Sequence, residues 1–138
     1  MSPTLEKYLN EMLLTEIESM LEFSLQASLP EGQAVRERLL DFAHEELEHV
    51  NMLMGMIVRT GGAVCVGRPD FIQADSLGDF FCRSAAREDD AIMRYTALTE
   101  LVESPEDKAL LKRAIAQELA HKELLEVLRS SCEAPGLG

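Results

Sequence analysis

Residues 33–60 read QAVRERLLDFAHEELEHVNMLMGMIVRT, and the order of apolar and acidic side chains in this stretch decides the architecture. Leu39, Phe42, Ala43, Leu53, Met56 and Ile57 recur at spacings of three and four, which puts them on one face of a helix. The stretch holds no proline, is rich in Leu, Glu, Met and Arg, and is stopped by Gly61-Gly62. Its apolar stripe skips the middle turn. Glu46 stands there, with His49 three residues later, so Glu46-Leu47-Glu48-His49 presents a carboxylate and an imidazole on the face that should be buried.

The same interrupted pattern occurs three more times. A helix over about 105–131 carries Leu110, Leu111, Ala114, Ile115, Leu124, Leu125 and Leu128, and its gap is filled by Glu118-Leu119-Ala120-His121. A helix over about 3–29 carries Leu9, Met12, Leu13, Met20, Phe23 and Ala27 around Glu16. One over about 77–103 carries Leu77, Phe80, Phe81, Ala91, Ile92, Tyr95, Leu98 and Val102 around Glu88. With the opening stretch at 33–60, these are the four helices of the chain. Start signals agree: Ser2 with Pro3, Ser76 with Asp79, and Ser104-Pro105-Glu106-Asp107, which combines a capping hydroxyl, a first-turn proline and acids favoured by the helix dipole. Residues 61–76 hold little periodicity and form a long loop. With no strand-like alternation, the expectation is an all-α four-helix bundle in one domain spanning 1–138.

The 138 residues carry 13 Lys+Arg against 25 Asp+Glu, a formal charge of -12. Such a surface repels phosphate backbones and attracts cations, so no nucleic-acid partner is expected. Hydrophobic residues at 46% suffice for a core and exclude disorder as the main state. Cys65, Cys82 and Cys132 form no CxxC pair and are odd in number, which argues against a disulfide framework and a zinc ribbon and for a reducing, cytoplasmic setting. No export signal and no membrane span is expected.

Depth along the helices tests whether the four gaps meet. Glu16 lies 13 residues before Leu29, and Glu46 lies 13 after Gln33. Both are therefore about 20 Å from the turn joining the first two helices. Glu88 and Glu118 stand at nearly equal depth, again roughly 20 Å from theirs. Four ionised carboxylates in one core repel each other and lose their hydration, so they need neutralising cations, and two divalent ions balance four charges. The rival reading is a polar layer that merely fixes helix register, and it leaves those buried charges uncompensated. A donor set rich in oxygen, with one imidazole per ion and no thiolate, suits iron first, with manganese or a mixed pair as the other choices.

Taken together, Glu16, Glu88 and the two Glu-x-x-His motifs resemble the ferritin-like di-iron carboxylate proteins. The closest likeness is to the bacterioferritin branch, through Tyr8-Leu9-Asn10 ahead of Glu16 and Tyr95 seven residues after Glu88. The resemblance spans all four helices. It implies a ferritin-like bundle in which the loop 61–76 is a crossover running its length. It further implies that Glu16 and His49 bind one iron, Glu88 and His121 the other, and that Glu46 and Glu118 bridge them. Tyr95 becomes an outer hydrogen-bond donor or plain core. The implied activity is ferroxidase-type: two Fe(II) oxidised by dioxygen or hydrogen peroxide, in a chain that forms at least a homodimer.

Some positions depart from the branch. Leu47 stands where bacterioferritins place a haem-binding Met, so haem is not expected, and Phe23 stands where the branch has a tyrosine whose hydroxyl lies near the metals. A rubrerythrin-type peroxidase that keeps its di-iron cofactor is one alternative, but Ala91 stands where that branch has a further Glu. A non-enzymatic iron-binding or cargo bundle is the other. His44, Glu18, Glu22, Glu45, Glu48, Asp89 and Asp90 read as solvated residues, one or two of which could draw cations in.

Overall fold

A computed structural model describes residues 3–132. The proposed Ser2 cap and the tail 133–138 lie outside the described residues. Four α-helices, α1 (Pro3–Ser28), α2 (Arg36–Arg59), α3 (Leu77–Leu101) and α4 (Pro105–Cys132), make up most of it, and no strand occurs among the described residues. The all-α four-helix bundle read from the apolar spacing is the fold observed. No described helix is long and apolar enough to cross a membrane.

The apolar stripes meet in two clusters. One joins Leu9, Met12, Leu13, Leu53, Met56, Ile57, Tyr95, Leu98 and Leu111. The other joins Phe23, Ala27, Leu39, Phe42, Phe80, Phe81 and Leu125. Between them lies the layer where every stripe was interrupted, so the gaps in the sequence become a polar slab across the middle of the bundle. Met56 is fully buried, with Met52 and Met54 packed against the first cluster, so these methionines fill core space.

Helix two starts at Arg36, not Gln33. Pro30–Val35 forms a 3-10 turn opened by its proline. Gln33 closes the end of α1, its Nε2 donating to the carbonyls of Ala27 and Leu29 at 3.0 and 3.1 Å. The Ala27 carbonyl lies in the last turn of α1, where helical partners run out, and the Leu29 carbonyl also accepts from Gly32 N–H at 3.0 Å. Gly32 sits against the same end, where an added Cβ would lie 2.0 Å from the Gln26 carbonyl oxygen. Gly32→Ala should therefore cost about 1–3 kcal/mol of stability, measured by urea unfolding, without changing the residues of the slab. At its far end α3 stops at Leu101, because Val102 is extended (φ -78°, ψ 146°) and Ser104 must serve the next helix. Ser76 and Ser104 do cap, accepting from the backbone N–H of Asp79 at 3.0 Å and of Asp107 at 3.3 Å.

The loop after α2 turns on Gly61, whose φ of 84° favours glycine. It then travels back along α1 in extended form. Ala63 N–H donates to Glu6 Oε1 (2.7 Å), Cys65 N–H to Asn10 Oδ1 (2.8 Å), Asp70 N–H to Glu18 Oε2 (2.6 Å) and Ile72 N–H to Glu22 Oε1 (3.1 Å). The four acceptors fall on one stripe of α1 because they are separated by multiples of four. This corrects the reading of Glu18 and Glu22 as solvated: they hold an extended strap whose N–H groups have no sheet to bond to. The strap delivers α3 to the end of the bundle where α2 began, so α2 and α3 run parallel while α1 opposes α2 and α4 opposes α3. Arg59 at the end of α2 pairs with Asp107 at the start of α4 (3.0 Å) and fixes that stagger.

Candidate metal centre

The interrupted stripes bring six side chains to one place. Glu16 comes from α1, Glu46 and His49 from α2, Glu88 from α3, and Glu118 and His121 from α4. None is more than 4% exposed. They form two overlapping groups in which the potential ligand atoms lie within 4.8 Å of one another: Glu16, Glu46, His49 and Glu118, and Glu46, Glu88, Glu118 and His121. Glu46 and Glu118 belong to both.

Both imidazoles turn Nδ1 inward. His49 Nδ1 is 2.8 Å from Glu16 Oε2, 3.0 Å from Glu118 Oε1 and 3.9 Å from Glu46 Oε1. His121 Nδ1 is 3.3 Å from Glu46 Oε1, 3.5 Å from Glu118 Oε1 and 3.9 Å from Glu88 Oε2. Their outer nitrogens are held across the bundle: His49 Nε2–H donates to Gln117 Oε1 at 2.8 Å, and His121 Nε2–H donates to Glu45 Oε2. With a proton fixed on Nε2, each ring turns Nδ1 toward the carboxylates, and that atom can bind a cation once any proton on it is displaced. Aromatic rings wall the two ends, Phe42 meeting His121 edge-on at 5.1 Å and Tyr95 meeting His49 at 5.9 Å. Tyr95 is wholly buried and its hydroxyl makes no hydrogen bond, so its contact with His49 is one of packing. Phe23 stacks on Phe42 at 5.0 Å, in the apolar layer beyond.

The donor set fits divalent cations. Both oxygens of Glu46 and of Glu118, Glu88 Oε2 and His121 Nδ1 are buried and make no hydrogen bond. Six unsatisfied atoms at the focus of two histidines and four carboxylates are costly unless something binds them. Protons and the histidines supply the balance without metal. Burial, helped by the Glu46 charge, pushes Glu16 up to about 8, and burial pushes Glu118 up to about 11. Burial also raises Glu88 well above the carboxylate range. His49 resists the effect of burial and rises to about 9 through its bond to Glu16. Glu46 goes the other way: burial disfavours its charge, but His121 and His49 hold it ionised.

Glu45 and Gln117 escaped the sequence reading as functional partners. A signal was present: each immediately precedes the Glu of its Glu-x-x-His motif. The other acids near the slab find partners elsewhere, Asp89 with Lys122, Asp90 with Arg94 and Glu48 with the exposed His44. None of the three cysteines is in a disulfide.

Compared with solved structures, the chain superposes on a protein of Bacillus anthracis str. Ames described among ferritin-like, diiron-carboxylate proteins. The TM-score is 0.85 at 23% identity, over 94% of this chain and 99% of that one. The fold is ferritin-like. Bacterioferritin of Rhodobacter capsulatus, solved with a metal-free dinuclear site and a haem iron, is similar to this ferritin-like chain with a TM-score of 0.83 at 18% identity, over 96% and 88% of the two chains. An open-pore ferritin of Archaeoglobus fulgidus gives 0.80 at 18%, over 99% and 88%. No protein-family model and no curated protein matches the sequence, so the likeness rests on the fold.

Proposed function

We propose that the slab takes up two Fe(II) ions as substrate and oxidises them with dioxygen or hydrogen peroxide. The observation that carries the reading is the overlap of the two four-residue groups through Glu46 and Glu118. Two carboxylates common to both groups can hold a pair of ions close enough for one oxidant to draw from both. Each Fe(II) gives up one electron. Dioxygen accepts the two with two protons and leaves as hydrogen peroxide; hydrogen peroxide accepts two with two protons and leaves as two waters. Glu16 and Glu88 each serve one ion, as do His49 and His121, and four carboxylates favour the more highly charged Fe(III). Manganese fits the same donors. Exposed Leu40, Leu47 and Val58 lie along one stripe of α2 and support self-association as a homodimer.

Stopped-flow absorbance after mixing the Fe(II)-loaded protein with air-saturated buffer or peroxide tests the reaction. Fast oxidation at two irons per chain is expected; bound iron inert to both oxidants would refute it.

Proton release gives a second check. Ions must displace the protons held on Glu16, Glu118 and His49, whose raised values mean that they are protonated at neutral pH. Affinity for Mn(II) should therefore climb from pH 5 to pH 8. Calorimetry in buffers of different ionisation enthalpy should find several protons released per pair of ions, and a pH-independent affinity would contradict the assignment.

A further inference from the structure

The outer nitrogens of the two histidines are held by equivalent positions of unlike chemistry. The residue just before the shared Glu of α2 reaches the imidazole on α4, and the residue just before the shared Glu of α4 reaches the imidazole on α2. The first is Glu45, a carboxylate, which accepts from His121 Nε2–H. The second is Gln117, a neutral amide, whose Oε1 accepts from His49 Nε2–H at 2.8 Å. Both histidines face the interior through Nδ1, and both are walled by an aromatic edge, so the geometry of the two halves is alike. The difference is one negative charge. An anionic acceptor draws the Nε2 proton toward itself and leaves Nδ1 richer in electrons, hence a stronger donor to a cation, whereas a carboxamide orients the ring without that charge.

We infer that the two cation positions are unequal, with the Glu88 and His121 position filled first because Glu45 strengthens His121, while Gln117 leaves the Glu16 and His49 position weaker. This rests on the two-cation centre proposed above. Glu45 acts through His121 and is a positioning residue. Its side chain is 42% exposed, so Glu45→Gln should fold as the parent does.

The test is the order of filling, with Co(II) alone as probe. Crystals of the full chain grown with one equivalent of Co(II), measured at the cobalt absorption edge, give the occupancy of each position directly. The parent chain should favour the Glu88 and His121 position by roughly tenfold or more, the lower end of what outer partners contribute to metal affinity. Glu45→Gln should bring the two occupancies close to equal, and the exchange Glu45→Gln with Gln117→Glu should reverse their order. A purely structural role for Glu45 would lower both occupancies together. Equal filling in the parent chain, or a ratio unmoved by either variant, would overturn the inference while leaving the two-cation centre intact. Co(II) absent from both positions at two equivalents would overturn the centre itself.

Discussion

Glu118→Gln should leave a folded, metal-free bundle that no longer holds a pair of ions and oxidises Fe(II) about a hundredfold more slowly or worse. Glu118 is wholly buried and its pKa is pushed up to about 11, so at neutral pH the metal-free parent already carries a neutral carboxyl there. An amide of the same shape replaces it with little disturbance, and circular dichroism and the unfolding midpoint without metal should stay near those of the parent. With metal the outcome differs, because Glu118 belongs to both groups and both positions lose a ligand at once. Loss of an outer partner alone costs a metal site about 10–100-fold, and loss of a shared ligand should cost more. Glu16→Gln is the contrast: it touches one group and should leave the Glu88 and His121 position able to bind a single ion. Metal analysis with stopped-flow oxidation reads both effects. Two irons bound and oxidised normally by Glu118→Gln would refute the shared role.

The second large effect is on stability. At a thousand times its dissociation constant a bound ion adds about 4 kcal/mol, which for a chain of this size raises the melting midpoint by roughly 10–20 °C. The size of that rise should depend on pH in a definite direction. Glu16 at about 8, Glu118 at about 11 and His49 at about 9 all titrate above their ordinary values of 4.5, 4.5 and 6.5. The folded state therefore binds these protons more tightly than the unfolded chain. Their contribution is complete below the ordinary values and is lost as pH rises through the folded ones. Metal-free protein should lose stability from about pH 5 to pH 11, where the last of these groups, Glu118, gives up its proton. Over the same interval Mn(II) should restore progressively more. Scanning calorimetry with and without Mn(II) at several pH values checks this, and a metal-induced shift that shrinks as pH rises would contradict it.

Why so much of the centre was legible follows from helical periodicity. Leu39, Phe42, Leu53 and Met56 define a buried face, and an acid placed on that face has nowhere to go but inward. The skipped turn therefore sets Glu46 and His49 inside the bundle, and the same periodicity sets Glu16, Glu88, Glu118 and His121 there. Periodicity says nothing about what lies across the gap between helices. Glu45 and Gln117 sit off the buried stripe and matter only because α2 and α4 run antiparallel at the stagger that sets each beside the other's histidine. Glu18 and Glu22 looked like surface acids because their partners are backbone N–H groups about 50 residues away, invisible to any local pattern. The late start of α2 has a similar origin, since Gln33 is recruited by the carbonyls of the preceding helix.

Anomalous diffraction from crystals soaked anaerobically in Fe(II), recorded at the iron edge, tests the whole account most directly. Two peaks are expected inside the bundle, roughly 3.5–4 Å apart, as in paired-metal sites. One should lie beside Glu16 and His49 and the other beside Glu88 and His121, with Glu46 and Glu118 touching both. Iron found only on the acidic surface, or no iron between the two apolar clusters at saturating Fe(II), would contradict it.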